Sequence, residues 1–86
     1  MAAVSIYTIH TMEKQELSQP MKDLVSLLKH LGINRDDAIG IALLVGYDDE
    51  TTDELNWFIM NRMEARKNPT SDEIMEKALL LAGVQL

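Results

Sequence analysis

Apolar residues recur at helical spacing in four stretches of the chain. Met21, Leu24, Val25, Leu28 and Leu31 form one stripe, the i, i+3, i+4, i+7 pattern of an amphipathic helix. Ser18 is a good N-cap and Pro20 is tolerated in the first turn. Gly32 ends the pattern in a left-handed cap, with Ile33 placed to touch Leu28. The spacing predicts a first helix from about Gln19 to Leu31. A second follows at once, with Asn34 as cap and Asp36 and Asp37 in the positive first turn. Its body, Ala38 to Val45, is apolar all round, which predicts burial on several sides. Ala38, Gly40 and Ala42 are small enough to let neighbouring helices approach closely. The competing reading of this run is a buried strand. The Asn cap, the acidic first turn and Gly46 as terminator favour the helix.

The third helix is expected to open at Thr51, which has capping-box spacing with Glu54. It runs through Leu55, Trp57, Phe58, Ile59, Met60 and Met63 to about Lys67. Arg62, Arg66 and Lys67 lie near its C-terminus, where positive charge is favoured. Pro69 forbids continuation and biases Asn68 out of the helical region. Thr70 and Glu73 repeat the capping-box spacing and open a fourth helix. Its apolar stripe is wide: Ile74, Ala78 and Leu81 on one face, Met75, Leu79 and Ala82 beside it. Gly83 ends it, with Val84 placed against Leu79. Short connections favour packing between sequential neighbours. The expected fold is all-α, a compact bundle of four helices, with Leu28, Ile41, Leu44, Ile59 and Leu79 in its core.

Residues 1–17 are expected to be a poorly organised N-terminal segment, and residues 18–86 a single helical domain. Val4, Ile6 and Thr8 alternate with Ser5 and Tyr7, a strand-like pattern with no partner strand in a helical chain. Two readings stand: an extended arm, lying on the surface or reaching a second subunit, or a loosely held tail. Nothing clearly organised precedes Met12, which offers an alternative start.

Composition narrows the picture. The chain has 86 residues, 47% of them hydrophobic, and no cysteine. One thin core must therefore do without disulfides or thiolate metal sites. Self-association is a common remedy for such small scaffolds. Fourteen acidic against 8 basic residues give a net charge of −6. That sign is repelled by phosphate backbones and anionic lipid surfaces. No apolar stretch approaches the roughly 20 residues that span a bilayer, and the first residues lack the charged and apolar regions of a signal peptide. The expected location is the cytoplasm, with no membrane association.

Candidate chemistry is sparse. Asp48, Asp49, Glu50, Asp53 and Glu54 form the densest charge cluster. A calcium loop needs a central Gly and a Glu at position twelve. Counted from Asp48 or Asp49, that position holds Ile59 or Met60, and no Gly intervenes. A solvated helix start is the better reading. His10 and His30 have no partner at metal-ligand spacing, and His30 suits the last turn of its helix. There is no Cys nucleophile and no Gly-flanked Ser. A helix-turn-helix would make Arg35 to Val45 the recognition helix, but one basic residue on an apolar surface suits a core and not a major groove. No catalytic residue, cofactor or metal is expected.

The segments Leu31-Gly32-Ile33, Arg35-Asp36-Asp37-Ala38-Ile39, Ala42-Leu43 and Asn56-Trp57-Phe58 together resemble the three-helix ubiquitin-associated domain. That family has a Met-Gly-Phe-type turn, an Ala/Leu-patterned second helix and an aromatic-leucine pair ending the third. The resemblance covers roughly residues 24–60. Leu31 and Ile33 depart from the family's Met and Phe, and the connection between the second and third helices is short. Any compact antiparallel three-helix unit shares this pattern, so no family is assigned from it.

Trp57 is the most informative residue. At about 100° per residue, the apolar residues of the third helix average to a direction near Ile59 and Met63. Leu55 and Met60 flank that direction, and Trp57 points nearly opposite. A large aromatic off the main stripe calls for a second surface: the N-terminal segment, the fourth helix or another molecule. Trp57, Met60 and Tyr47 are the expected partner interface. The expected function is a non-enzymatic protein–protein interaction module, forming a homodimer and binding a further protein partner. The alternative is a helical regulator that contacts nucleic acid only as an oligomer or with a basic partner.

Overall fold

The computed structural model describes residues 17–83. They form four helices: α1 (Gln19–His30), α2 (Arg35–Val45), α3 (Asp49–Glu64) and α4 (Ser71–Leu81). The expected N-terminal arm and the contact between Val84 and Leu79 lie outside the described residues.

Local chemistry places each helix end. Ser18 caps α1, its hydroxyl accepting the Met21 N–H at 3.4 Å. Gly32 takes a φ of +74°. The Ile33 N–H then donates to the Leu28 carbonyl and the Gly32 N–H to that of Lys29, both at 3.0 Å. This double bond pattern satisfies carbonyls that the helix leaves open. Asn34 caps α2 by accepting the Asp37 N–H at 2.8 Å. Thr70 and Glu73 form the expected capping box: the Thr70 hydroxyl accepts the Glu73 N–H, and the Glu73 carboxylate accepts the Thr70 N–H, both at 3.2 Å.

The third helix departs from expectation at both ends. Its cap is Asp48 and not Thr51. The Asp48 carboxylate accepts both the Thr51 N–H at 3.1 Å and the Thr51 hydroxyl at 2.8 Å. An ionised acceptor forms the stronger bond, so the helix begins earlier and Thr51 lies inside it. The far end comes at Glu64, short of Lys67. There Arg66 adopts a φ of 59° and closes the same kind of turn as Gly32, with Lys67 N–H bonded to the Arg62 carbonyl at 2.9 Å.

The core comprises Leu24 and Leu28 from α1, Ile41 and Val45 from α2, Leu55 and Ile59 from α3, and Ile74 and Ala78 from α4. Leu28, Ile41 and Ile59 are buried as expected. Leu44 is only partly buried, though it packs against the core. Leu79 is half-buried and lies outside that cluster, because Ile74 and Ala78 turn the other face of α4 inward.

Alternate helices make the largest contacts, α1 with α3 and α2 with α4, while α1 and α4 do not touch. Sequential helices pack as well, but less extensively than expected. The small residues of α2 serve the α2–α4 contact: a Cβ built on Gly40 would lie 3.4 Å from the Met75 methyl. Gly46 ends α2 for a related reason. Its φ is −72°, so no left-handed turn requires glycine. A Cβ there would instead meet the Ala42 carbonyl oxygen at 2.6 Å and the Met21 methyl at 2.8 Å.

The expectation that α2 is covered on every side is overturned. Ile41 and Val45 are fully buried, yet Leu43 is 77% and Ile39 46% exposed. Leu43 lies two residues, about 200°, from Ile41, and α1, α3 and α4 together do not reach round to it.

Polar side chains fix the helices to one another. The buried Thr52 hydroxyl donates to the Val45 carbonyl at 2.8 Å, tying α3 to the end of α2. Asn56 donates from α3 to the Pro20 carbonyl at 2.9 Å. Ser71 donates to Asp37 at 2.8 Å, joining the starts of α4 and α2. Arg62 bonds Glu73 at 2.6 Å across α3 and α4 and lies over the Phe58 ring, which Lys77 approaches as well. Among the described residues, no helix is long and apolar enough to cross a membrane.

Candidate interaction surfaces

All three residues expected at a partner interface are exposed: Tyr47 at 68%, Trp57 at 67% and Met60 at 48%. They do not form one patch. Trp57 and Met60 line a groove between α1 and α3, and Tyr47 lies on a separate surface beside α2.

The α1–α3 groove has a volume of about 610 Å³. Each helix contributes residues at the spacing of one face. From α1 come Asp23, Ser26, Leu27 and His30, and from α3 Asp53, Asn56, Trp57 and Met60. Leu55 and Ile59 direct α3 toward the core, which turns Trp57 outward, as the 100° rotation requires. Trp57 also borders a second groove with Phe58, Lys77 and Leu81 of α3 and α4. It therefore stands as a ridge between two concave surfaces. α4 does not cover the ring.

Asn56 is 4% exposed. Its amide nitrogen is held by the Pro20 carbonyl, while its Oδ1 has no hydrogen-bond partner among the described residues. A buried acceptor left unpaired costs roughly 1–3 kcal/mol. Asn56 did not stand out in the sequence as an interface residue. The available signal was its register: Thr52, Leu55, Asn56 and Ile59 follow the i, i+3, i+4, i+7 core pattern, and all four are buried. An amide in such a row must find its partners inside the fold or supply them to a ligand.

The second surface runs along α2. Ile39 borders a groove with Val25, Ile33 and Ala42, and Leu43 and Tyr47 border another with Leu17, Met21 and the same Ala42. The two join into an apolar strip along the α1–α2 edge.

The remaining candidates are helix-end chemistry. Asp48 of the acidic cluster is committed to capping α3, and Asp49 and Glu50 occupy its first turn. Among the described residues, no three His, Cys, Asp or Glu side chains are grouped to hold a metal. His30 is exposed in the last turn of α1 and borders the Trp57 groove. His10 lies outside the described residues. Glu73 is held below the ordinary glutamate pKa chiefly by the Thr70 backbone N–H, against an opposing cost of desolvation, with the Arg62 guanidinium adding to the lowering. That role belongs to the start of α4. Compared with family models, curated proteins and solved structures, the chain matches none of them, and the resemblance to the ubiquitin-associated domain remains one of local pattern.

Proposed function

We propose that this protein is a non-enzymatic interaction module of the cytoplasm that binds a partner protein through the α1–α3 groove. The observation that carries this reading is Trp57. A side chain of this size buries some 150–250 Å² in a core or interface, yet here it is 67% exposed beside a concave apolar surface. Partly exposed aromatics flanking a pocket are the usual anchors of binding energy. Leu27 and Met60 supply the apolar walls, and methionine adapts its shape to what it meets.

A second observation supports self-association on a different face. Leu43 and Ile39 project from α2 away from the core, and with Tyr47 they make a strip suited to a self-complementary dimer contact. The two surfaces are separate, so a dimer through α2 leaves the Trp57 groove open.

Affinity capture from the native host tests the first surface. Wild-type protein should retain a partner that Trp57→Ala and Met60→Ala lose, while circular dichroism stays unchanged because both side chains are outside the core. Equal retention by all three proteins would remove the groove from the interface.

A further inference from the structure

We infer that the occupant of the α1–α3 groove is a basic amphipathic segment of a partner protein, with an arginine or lysine set against Trp57. This rests on the interaction surface proposed above and adds the chemistry of what fills it.

Two carboxylates line the groove, and the other polar groups there, Ser26, His30 and Asn56, can both donate and accept. Asp53 lies one helical turn before Trp57, and Asp23 lies opposite on α1. Among the described residues, no lysine or arginine lines the groove and neither aspartate forms an ion pair. Asp23 accepts one hydrogen bond, from Gln19 at 2.9 Å. Asp53 accepts none among the described residues. Asn56 borders the same groove, and its buried Oδ1 has no donor among the described residues. Two carboxylates without a cationic partner among the described residues, one on each wall, call for an N–H-rich cation. The exposed indole of Trp57 is the aromatic best suited to seat the same cation. Leu27 and Met60 receive apolar side chains from the same segment, which gives the partner its two-faced character.

Charge also argues against a second copy of this chain as the occupant. The chain carries a net charge of −6. A two-fold contact at this groove would set Asp23 and Asp53 against their own images, and like charges in juxtaposition disfavour a contact.

Trp57 is the sole tryptophan, so its emission reports on the groove directly. The probe is a designed amphipathic helical peptide with leucine on one face and arginine on the other. Two control peptides carry glutamine or glutamate in place of arginine. The arginine peptide should shift Trp57 emission to the blue and bind at least about tenfold tighter than the glutamine peptide, with the glutamate peptide weakest. Asp23→Asn combined with Asp53→Asn should abolish the difference between the arginine and glutamine peptides. Asp72→Asn combined with Glu76→Gln changes net charge equally on α4, which contributes no residue to the groove, and should preserve it. Equal binding of the arginine and glutamine peptides, no binding of the arginine peptide, or equal loss in both double variants each overturns the inference. Loss of the captured partner in Trp57→Ala would still uphold the groove as an interface in those cases. Failure of the interaction reading itself is seen only in the capture experiment.

Discussion

At the scale of single residues, two neighbours on α2 separate burial from hydrophobicity. Ile41 is fully enclosed, and Ile41→Ala should lower stability by about 2–5 kcal/mol through lost burial and the cavity left behind. Leu43, equally apolar, is 77% exposed, and Leu43→Ser should change monomer stability by less than about 0.5 kcal/mol. Chemical denaturation at dilute protein concentration reads both, and comparable losses at the two sites would show that α2 is enclosed after all. The sequence does not separate this pair, because a helix apolar on every side has no polar face to mark its outside. Trp57 was legible for the opposite reason: the apolar residues of α3 define a direction, and the indole opposes it. Asn56 was not. Its significance depends on the Pro20 carbonyl, supplied by another helix, and on an oxygen left over once that bond is made.

At the scale of helices, the caps were the most readable feature, since a cap side chain reaches only three residues along its own chain. Ser18, Asn34 and Thr70 serve as caps. The start of α3 was misplaced because Asp48 to Thr51 and Thr51 to Glu54 have the same spacing, and the carboxylate is the better acceptor. The start of α4 carries a pH dependence. The pKa of Glu73 is lower in the folded chain, so the folded state binds its proton less readily than the unfolded state does. The contribution of Glu73 is therefore complete above the ordinary glutamate value and is lost as pH falls through the lowered one. Urea midpoints followed from about pH 6 to about pH 3 should fall less steeply in Glu73→Gln than in the wild type. Identical slopes would mean that the carboxylate bonds at Thr70 and Arg62 do not persist in solution.

At the scale of the whole molecule, the two apolar surfaces predict an assembly whose two contacts respond to different substitutions. Sedimentation equilibrium at micromolar concentration should give a dimer for the wild-type chain and for Trp57→Ala, and a monomer for Leu43→Asp. A wild-type monomer would leave the strip of Ile39, Leu43 and Tyr47 without a role in self-association. A dimer lost in Trp57→Ala would move self-association to the groove. The expected bundle was legible at this scale, but the order of packing was not. Sequence position favours contacts between consecutive helices, whereas the direction of each stripe, once Gly32, Asp48 and Pro69 have set the turns, brings α1 onto α3 and α2 onto α4.

That alternate packing makes the bundle indivisible. Cutting the chain near Gly46 would part α1 from α3 and α2 from α4, the two largest helix contacts in the molecule. Each half would keep only a single smaller helix-to-helix contact, and its exposed stripes would have no partner. The chain thus has no autonomous half to form first during synthesis or to persist after proteolysis. α1 must wait for α3 to leave the ribosome before its stripe is covered, so the fold is gained and lost as one cooperative unit.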